Sequence, residues 1–323
     1  MPFFLPYQIA WIRDDARLKI MEKSRQVGIS LADAYDSVRK VCVRGARLDV
    51  WVSSRDEAQA RLYLEDCKKL ATVLQTAATD LGKVVLDRRE NISAGVLQFP
   101  TGRRIYSLSS NPNALAGKRG HVKLDEFALH QDQRLLYQVA KPVTQWGGQL
   151  CIISTHRGSQ SVFNGLIRDI RERGNPMGWS LHSVPLQKAA EQGLVERINQ
   201  KTSTTDERGE AKARFELNEL NRLQGLHGGL RAGEQRESEI QMGEPGLVGR
   251  DDPGARAGEQ TREGFLHRLH AECIDEEQWQ QEYCCVPGDD AAAFISYDMI
   301  TACEDAELKL MSFGELAEGT EVK

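Results

Sequence analysis

Three short segments hold residue types and spacings suited to chemistry on a phosphate. The first reads Lys23-Ser24-Arg25-Gln26-Val27-Gly28-Ile29-Ser30. An apolar run precedes it and a helix-like stretch follows. In a strand, tight turn and helix start of this kind, backbone N–H groups converge on an anion and the helix dipole favours negative charge. Against the pattern G-x-x-x-x-G-K-S/T, Gly28 and Ser30 fit the second glycine and the magnesium-binding hydroxyl. Lys23 stands in place of the first glycine and Ile29 in place of the lysine. By itself the segment also reads as an ordinary strand-to-helix turn.

The second segment, His121-Val122-Lys123-Leu124-Asp125-Glu126, is a short strand ending in adjacent carboxylates, 95 residues after Ser30. The first acid is placed to help hold Mg²⁺, and the second to orient and deprotonate an attacking water. The third, Cys151-Ile152-Ile153-Ser154-Thr155-His156, is an apolar strand ending in two hydroxyls. A polar pair there can sense a terminal phosphate. Each of these also has a plain reading, as solvated acids or as a Ser-Thr turn. It is their order and spacing that set the three apart.

The elements that must position these residues are legible around them. Residues 18–22 (LKIME), 48–53 (LDVWVS), 121–125 (HVKLD) and 149–154 (QLCIIS) read as strands, with helical stretches over 30–41 and 55–81. Strand–helix alternation predicts an α/β domain with a central, mostly parallel sheet flanked by helices. Residues 83–109 break the rhythm with three short β-like runs, expected as an antiparallel addition at one edge. Such a sheet binds ligands at the carboxyl ends of its strands, where Ser30, Asp125 and Ser154 would meet.

Beyond residue 201 the composition changes. Ten of the 28 glycines fall between Gly225 and Gly264, and RAGEQ occurs twice. We read 1–201 as a core, 202–262 as a flexible Gly/Glu-rich insertion and 263–323 as a small C-terminal helical segment. Residues 1–200 carry 29 basic and 20 acidic side chains, the rest 13 and 27, so a net charge of −5 hides a basic first part. A basic domain of this size remains a nucleic-acid candidate. No apolar run reaches the ~18–20 residues of a membrane span. The start lacks the basic region of a secretory signal, and the seven cysteines include no CxxC pair, which points to a reducing cytoplasm.

Taken together, these segments resemble the ATPase half of the terminase large subunit of tailed bacteriophages, especially the branch found in Mu-like phages and prophages. Leu5-Pro6-Tyr7-Gln8 looks like the family's adenine-contacting segment, and residues 23–30 like its deviant phosphate loop. Trp51-Val52-Ser53-Ser54-Arg55 with Gln59 resembles the second-strand motif, Leu124–Ala128 the Walker B segment and Ile153-Ser154-Thr155 the coupling motif. EQWQQEY at 277–283 resembles the stretch that closes the ATPase domain.

The resemblance implies Mg-ATP hydrolysis driving double-stranded DNA into a procapsid. The chain would work as a homo-oligomeric ring on a portal protein, with a small terminase subunit, in the host cytoplasm. DNA contacts would be sequence-independent and made to the backbone. It implies nucleotide contacts from Gln8, from residues 23–30 and from Ser154 and Thr155, and metal contacts from Ser30 and Asp125. Glu126 would position the water. Arg119, in the basic loop before the second segment, sits where some ring motors reach a neighbouring subunit's nucleotide, and also reads as a loop touching DNA or solvent.

Lys23 is expected to replace the missing phosphate lysine, with Arg25 supporting the loop or sensing the γ-phosphate, and Ile29→Lys to be tolerated or partly to rescue Lys23→Ala. The family's nuclease domain would begin where this chain stops, so no nuclease site is expected in it. Two other readings stay open on the residues alone: a helicase-like nucleic-acid ATPase, and a catalytically inactive prophage remnant.

Overall fold

The computed structural model describes residues 3–87, 92–202 and 260–288. Most of the 202–262 insertion and all of 289–323 lie outside the described residues. The strands are β1 (Leu18–Lys23), β2 (Val50–Ser53), β3 (Thr79–Asp87), β4 (Ile92–Gln98), β5 (Arg104–Leu108), β6 (His121–Asp125), β7 (Leu150–Ser154) and β8 (Ser180–Val184). The α-helices are α1 (Pro6–Arg13), α2 (Ile29–Cys42), α3 (Glu57–Val73), α4 (Gln133–Val143), α5 (Val162–Glu172), α6 (Leu186–Glu191) and α7 (Leu194–Thr202). After the insertion come α8 (Arg262–Ala271) and α9 (Glu276–Tyr283), which belong to the same compact unit as the strands.

All eight strands form one sheet in the order β3-β4-β5-β2-β6-β7-β1-β8. From β5 to β8 every pairing is parallel. The edge addition is a meander in which β4 runs against both β3 and β5, while β5 itself lies parallel to β2. Strands β1, β2 and β7 are buried along their whole length, as a parallel sheet covered on both faces requires.

One face packs against α1, α2 and α3, with Phe265 of α8 in the same cluster, and the other against α4 and α5. The helix read over 55–81 is shorter than expected. Asp56 caps its start by accepting the Gln59 N–H, Gln75 turns the chain at φ +51°, and residues from Thr79 pair with β4 instead. The apolar composition of 74–81 suits a helix, but strand pairing claims those residues.

Charges are buried inside this sheet. Lys123, Cys151 and Lys19 stand in register across β6, β7 and β1 and face α2. Lys123 Nζ lies 2.6 Å from Asp33 Oδ1 and 2.7 Å from Asp36 Oδ2, all fully buried. Lys19 Nζ adds a contact to Asp36 at 3.4 Å and donates to the Trp11 carbonyl. Trp11 Nε1 and Tyr63 Oη donate to the two oxygens of Asp33. Burial alone would raise the Asp36 carboxyl, but Lys123, Lys19, Lys40 and Arg39 outweigh it and hold it well below the usual range.

This network pins α2, whose first turn follows the phosphate loop, to the strands beneath. Lys123→Ala leaves buried Asp33 without a cation and strips Asp36 of its strongest one, and is expected to cost about 3 kcal/mol in denaturant unfolding. Because the Asp36 pKa is depressed, its contribution is present above about pH 4 and fades as acid takes the pH down through the folded-state value. A wild-type midpoint for Lys123→Ala would show the network to be neutral.

Candidate active site

Strand β1 ends at Lys23, and the next five residues make the turn into α2. Gly28 caps the helix at φ +70°, a left-handed conformation natural to glycine, and a Cβ there would meet Gln8 Nε2 at 3.0 Å. The first N–H groups of α2, from Ile29 onward, have no intrahelical partner and form the open end of the helix dipole. Two further N–H groups are already spoken for. Ser24 donates to the Val184 carbonyl at 2.8 Å and Arg25 to the Glu282 carbonyl at 3.0 Å.

Helix α1 braces the turn from the other side. Tyr7 Oη donates to the Val27 carbonyl at 2.6 Å and Gln8 Nε2 to the Gly28 carbonyl at 2.7 Å. Gln8 Oε1 also accepts the Leu5 N–H at 2.8 Å. Gln8 therefore holds the loop in this structure, and each end of its amide keeps one further hydrogen-bonding position.

The two carboxylates stand beside the loop at the end of β6. Lys23 Nζ donates to Glu126 Oε1 at 2.7 Å, with the lysine side chain 5% exposed. Glu126 itself sits at φ +50°, uncommon for a residue with a Cβ and a frequent mark of functional positions. Asp125 is buried, and burial first, then the Glu126 charge, pushes its carboxyl up to about 7 against the pull of Lys23. Asp125 Oδ1 and Glu126 Oε2 are buried without a hydrogen-bond partner, as are the Ser53 and Ser54 hydroxyls at the end of neighbouring β2.

Carboxylate oxygens left without donors in a buried pocket suit a hard cation that takes oxygen ligands. Among the described residues no three His, Cys, Asp or Glu cluster as metal ligands. Mg²⁺ in phosphate sites needs only one or two carboxylates, the rest coming from water and phosphate. The donor set of Asp125 and the half-buried Ser30 fits that ion.

Ser154 ends β7 and its Oγ accepts the Ala128 N–H at 3.0 Å, tying the strand to the turn that carries Glu126. Thr155 is buried next to it. Arg25 points away from the carboxylates, its guanidinium donating to Glu282 Oε1 at 2.7 Å.

Arg119 is not brought to this site. It precedes β6, at the amino ends of the central strands rather than their carboxyl ends, where it is exposed and lies 5.0 Å over the Trp146 ring. Ile29 is 2% exposed within the main core. A lysine there would bury a charge among apolar side chains, so the expected tolerance of Ile29→Lys does not hold. That substitution should cost on the order of 3 kcal/mol and lower Tm without restoring turnover. A variant that melts like the wild type would show the position to be open.

Sequence reasoning missed the roles of four charged residues, Glu22, Lys19, Lys123 and Glu282. Glu22 is buried on β1, accepting from Arg171 and lying 3.0 Å from His156 Nε2. His156 is therefore a buried partner of Glu22. Lys19 and Lys123 form the network under α2, and Glu282 grips the loop. A lysine or glutamate inside an otherwise apolar strand was the available signal, with Asp33 and Asp36 three residues apart on the facing helix.

A family model described as the N-terminal part of the terminase large subunit, T4-like-virus type, matches residues 20–302. The chain belongs to this family. Among its relatives, the Mu-like prophage FluMu protein gp28 of Haemophilus influenzae is 34% identical over 199 residues, covering 61% of this chain and 39% of that protein. The probable terminase large subunit gp28 of Escherichia phage Mu is 36% identical over 205 residues, covering 61% and 37%. The chain thus spans about two fifths of the length of these curated relatives. A large terminase from a thermophilic bacteriophage, solved with ADP, is 14% identical with a TM-score of 0.45, over 61% of this chain and 50% of that one. The terminase of bacteriophage HK97 is 14% identical with a TM-score of 0.42, over 69% and 48%.

Proposed function

We propose that this terminase chain binds and hydrolyses Mg-ATP and that hydrolysis drives double-stranded DNA into a procapsid. The observation that carries the reading is the 2.7 Å pair between Lys23 and Glu126, set beside buried, unpartnered carboxylate oxygens at the open amino end of α2. The α2 N–H groups and Lys23 bind phosphate oxygens, and Ser30 and Asp125 hold the metal. Mg²⁺ supplies charge neutralisation on the transferring group. Once Lys23 turns to phosphate, Glu126 is released to orient a water and accept its proton. Ser154 links β7 to the Glu126 turn and so passes a change at the site to the neighbouring strand.

Arg119 acts between subunits, since it precedes β6 at the amino ends of the strands, away from its own chain's loop at their carboxyl ends. We extend this reading to a homo-oligomeric ring on a portal protein, with the small terminase subunit as partner, which membership of the family supports. DNA would be held through its phosphates without regard to sequence, in the host cytoplasm.

The test is ATP hydrolysis by the purified chain with and without duplex DNA. Turnover should require Mg²⁺, rise with duplexes of unrelated sequence, and lose that rise as salt increases. Absence of turnover under all these conditions would overturn the reading.

A further inference from the structure

The last described helix grips the site at two points. In addition to the backbone bond from Arg25 N–H to the Glu282 carbonyl, the Arg25 guanidinium straddles both oxygens of the Glu282 carboxylate. Glu282 is 8% exposed although it sits on a short helix at the periphery. One residue earlier, Gln281 Oε1 accepts the Gly158 N–H at 2.8 Å, in the loop that follows Ser154 and Thr155. Successive residues on a helix point about 100° apart, so the two loops lie on different sides of α9. The two contacts join segments 257 and 123 residues distant in sequence.

We infer that Glu282 is a positioning residue for the nucleotide site, holding Arg25 and hence the phosphate loop, and that α9 is the strut tying that loop to the segment after β7. The inference rests on reading residues 23–30 as the nucleotide loop. An arginine fork binds a carboxylate and a phosphate with the same paired geometry. Phosphate arriving in the loop therefore competes with Glu282 for Arg25, and α9 responds. Trp279, three residues before Glu282, stacks between His270 at 4.5 Å and Tyr283 at 5.1 Å, so any shift of α9 changes its surroundings.

The experiment follows tryptophan emission of the full chain as ADP and Mg²⁺ are added, with Trp279→Phe assigning the signal. Wild type should show a saturable change that Trp279→Phe lacks. Glu282→Ala should bind ADP within about threefold of wild type, lose the emission change and turn over ATP about 10–100-fold more slowly, the usual effect of a misplaced group. Glu282→Asp should recover part of both. If Glu282→Ala fails to fold, Gln281→Ala serves instead, with slower turnover at unchanged ADP affinity expected. Nucleotide binding that leaves Trp279 emission unchanged in wild type, or full signal and turnover in the alanine variants, overturns the inference alone. A wild-type chain that binds no nucleotide brings down the reading of the loop, and the strut with it.

Discussion

Lys23→Ala is expected to abolish ATP turnover, a loss of at least about 10³-fold, on the scale of removing a charged group that stabilises a transition state. At the position where a phosphate loop normally carries lysine stands Ile29, and its side chain is core. Arg25 is held by Glu282. That leaves Lys23, buried to its tip and aimed at Glu126, as the cation close to both the loop and the acid. Its compact ammonium on a flexible stem can swing from Glu126 to a phosphate, which the planar fork of arginine would do poorly. Lys23→Arg should therefore recover little. Turnover and nucleotide affinity, measured on both variants, check this. Full activity in Lys23→Ala would pass the role to Arg25.

Glu126→Gln should slow hydrolysis by about 10²–10⁴-fold while leaving nucleotide affinity and stability near wild type. The amide oxygen can still accept from Lys23, so the shape of the site is kept and only the base is lost. Asp125→Asn should act differently, weakening Mg²⁺ binding and raising the Mg²⁺ concentration that turnover requires, because Asp125 is buried and its Oδ1 has no other partner. Single-turnover rates and Mg²⁺ titrations of the two variants separate the roles. Near-normal hydrolysis by Glu126→Gln, with none by Asp125→Asn, would mean the two roles are exchanged.

Strands β1, β6 and β7 could be read from the sequence because a parallel sheet buries both faces and leaves short runs rich in Val, Ile and Leu. The loop at 23–30 and the acids at 125 and 126 were legible for a related reason, since they follow those runs directly and must fall at one edge. Pairings across long stretches of chain were not legible. The Lys23–Glu126 contact joins residues 103 apart, and periodicity carries no information about it. Lys19, Glu22 and Lys123 look like solvent-facing interruptions of a strand, and only the facing helix or strand end shows them to be paired. The end of α3 was missed because helix propensity continues through residues that the edge strand takes. Glu282 could be placed within a motif but not against Arg25.

The carboxylates on α2 and the lysine that answers them are separated by 90 and 87 residues. A ribosome delivering this chain amino end first releases Asp33 and Asp36 long before Lys123. Until β6 emerges, α2 has Lys19 and Trp11 against its acids but lacks the one buried lysine that answers both, and an ionised carboxylate is stable in water. The contacts that fix it are non-local, and non-local contacts form late. Early in synthesis the phosphate loop is thus tethered to a helix without a seat, and nascent chains released before about residue 125 should not retain nucleotide. The segment most easily recognised as a binding motif is in this way among the last to become one.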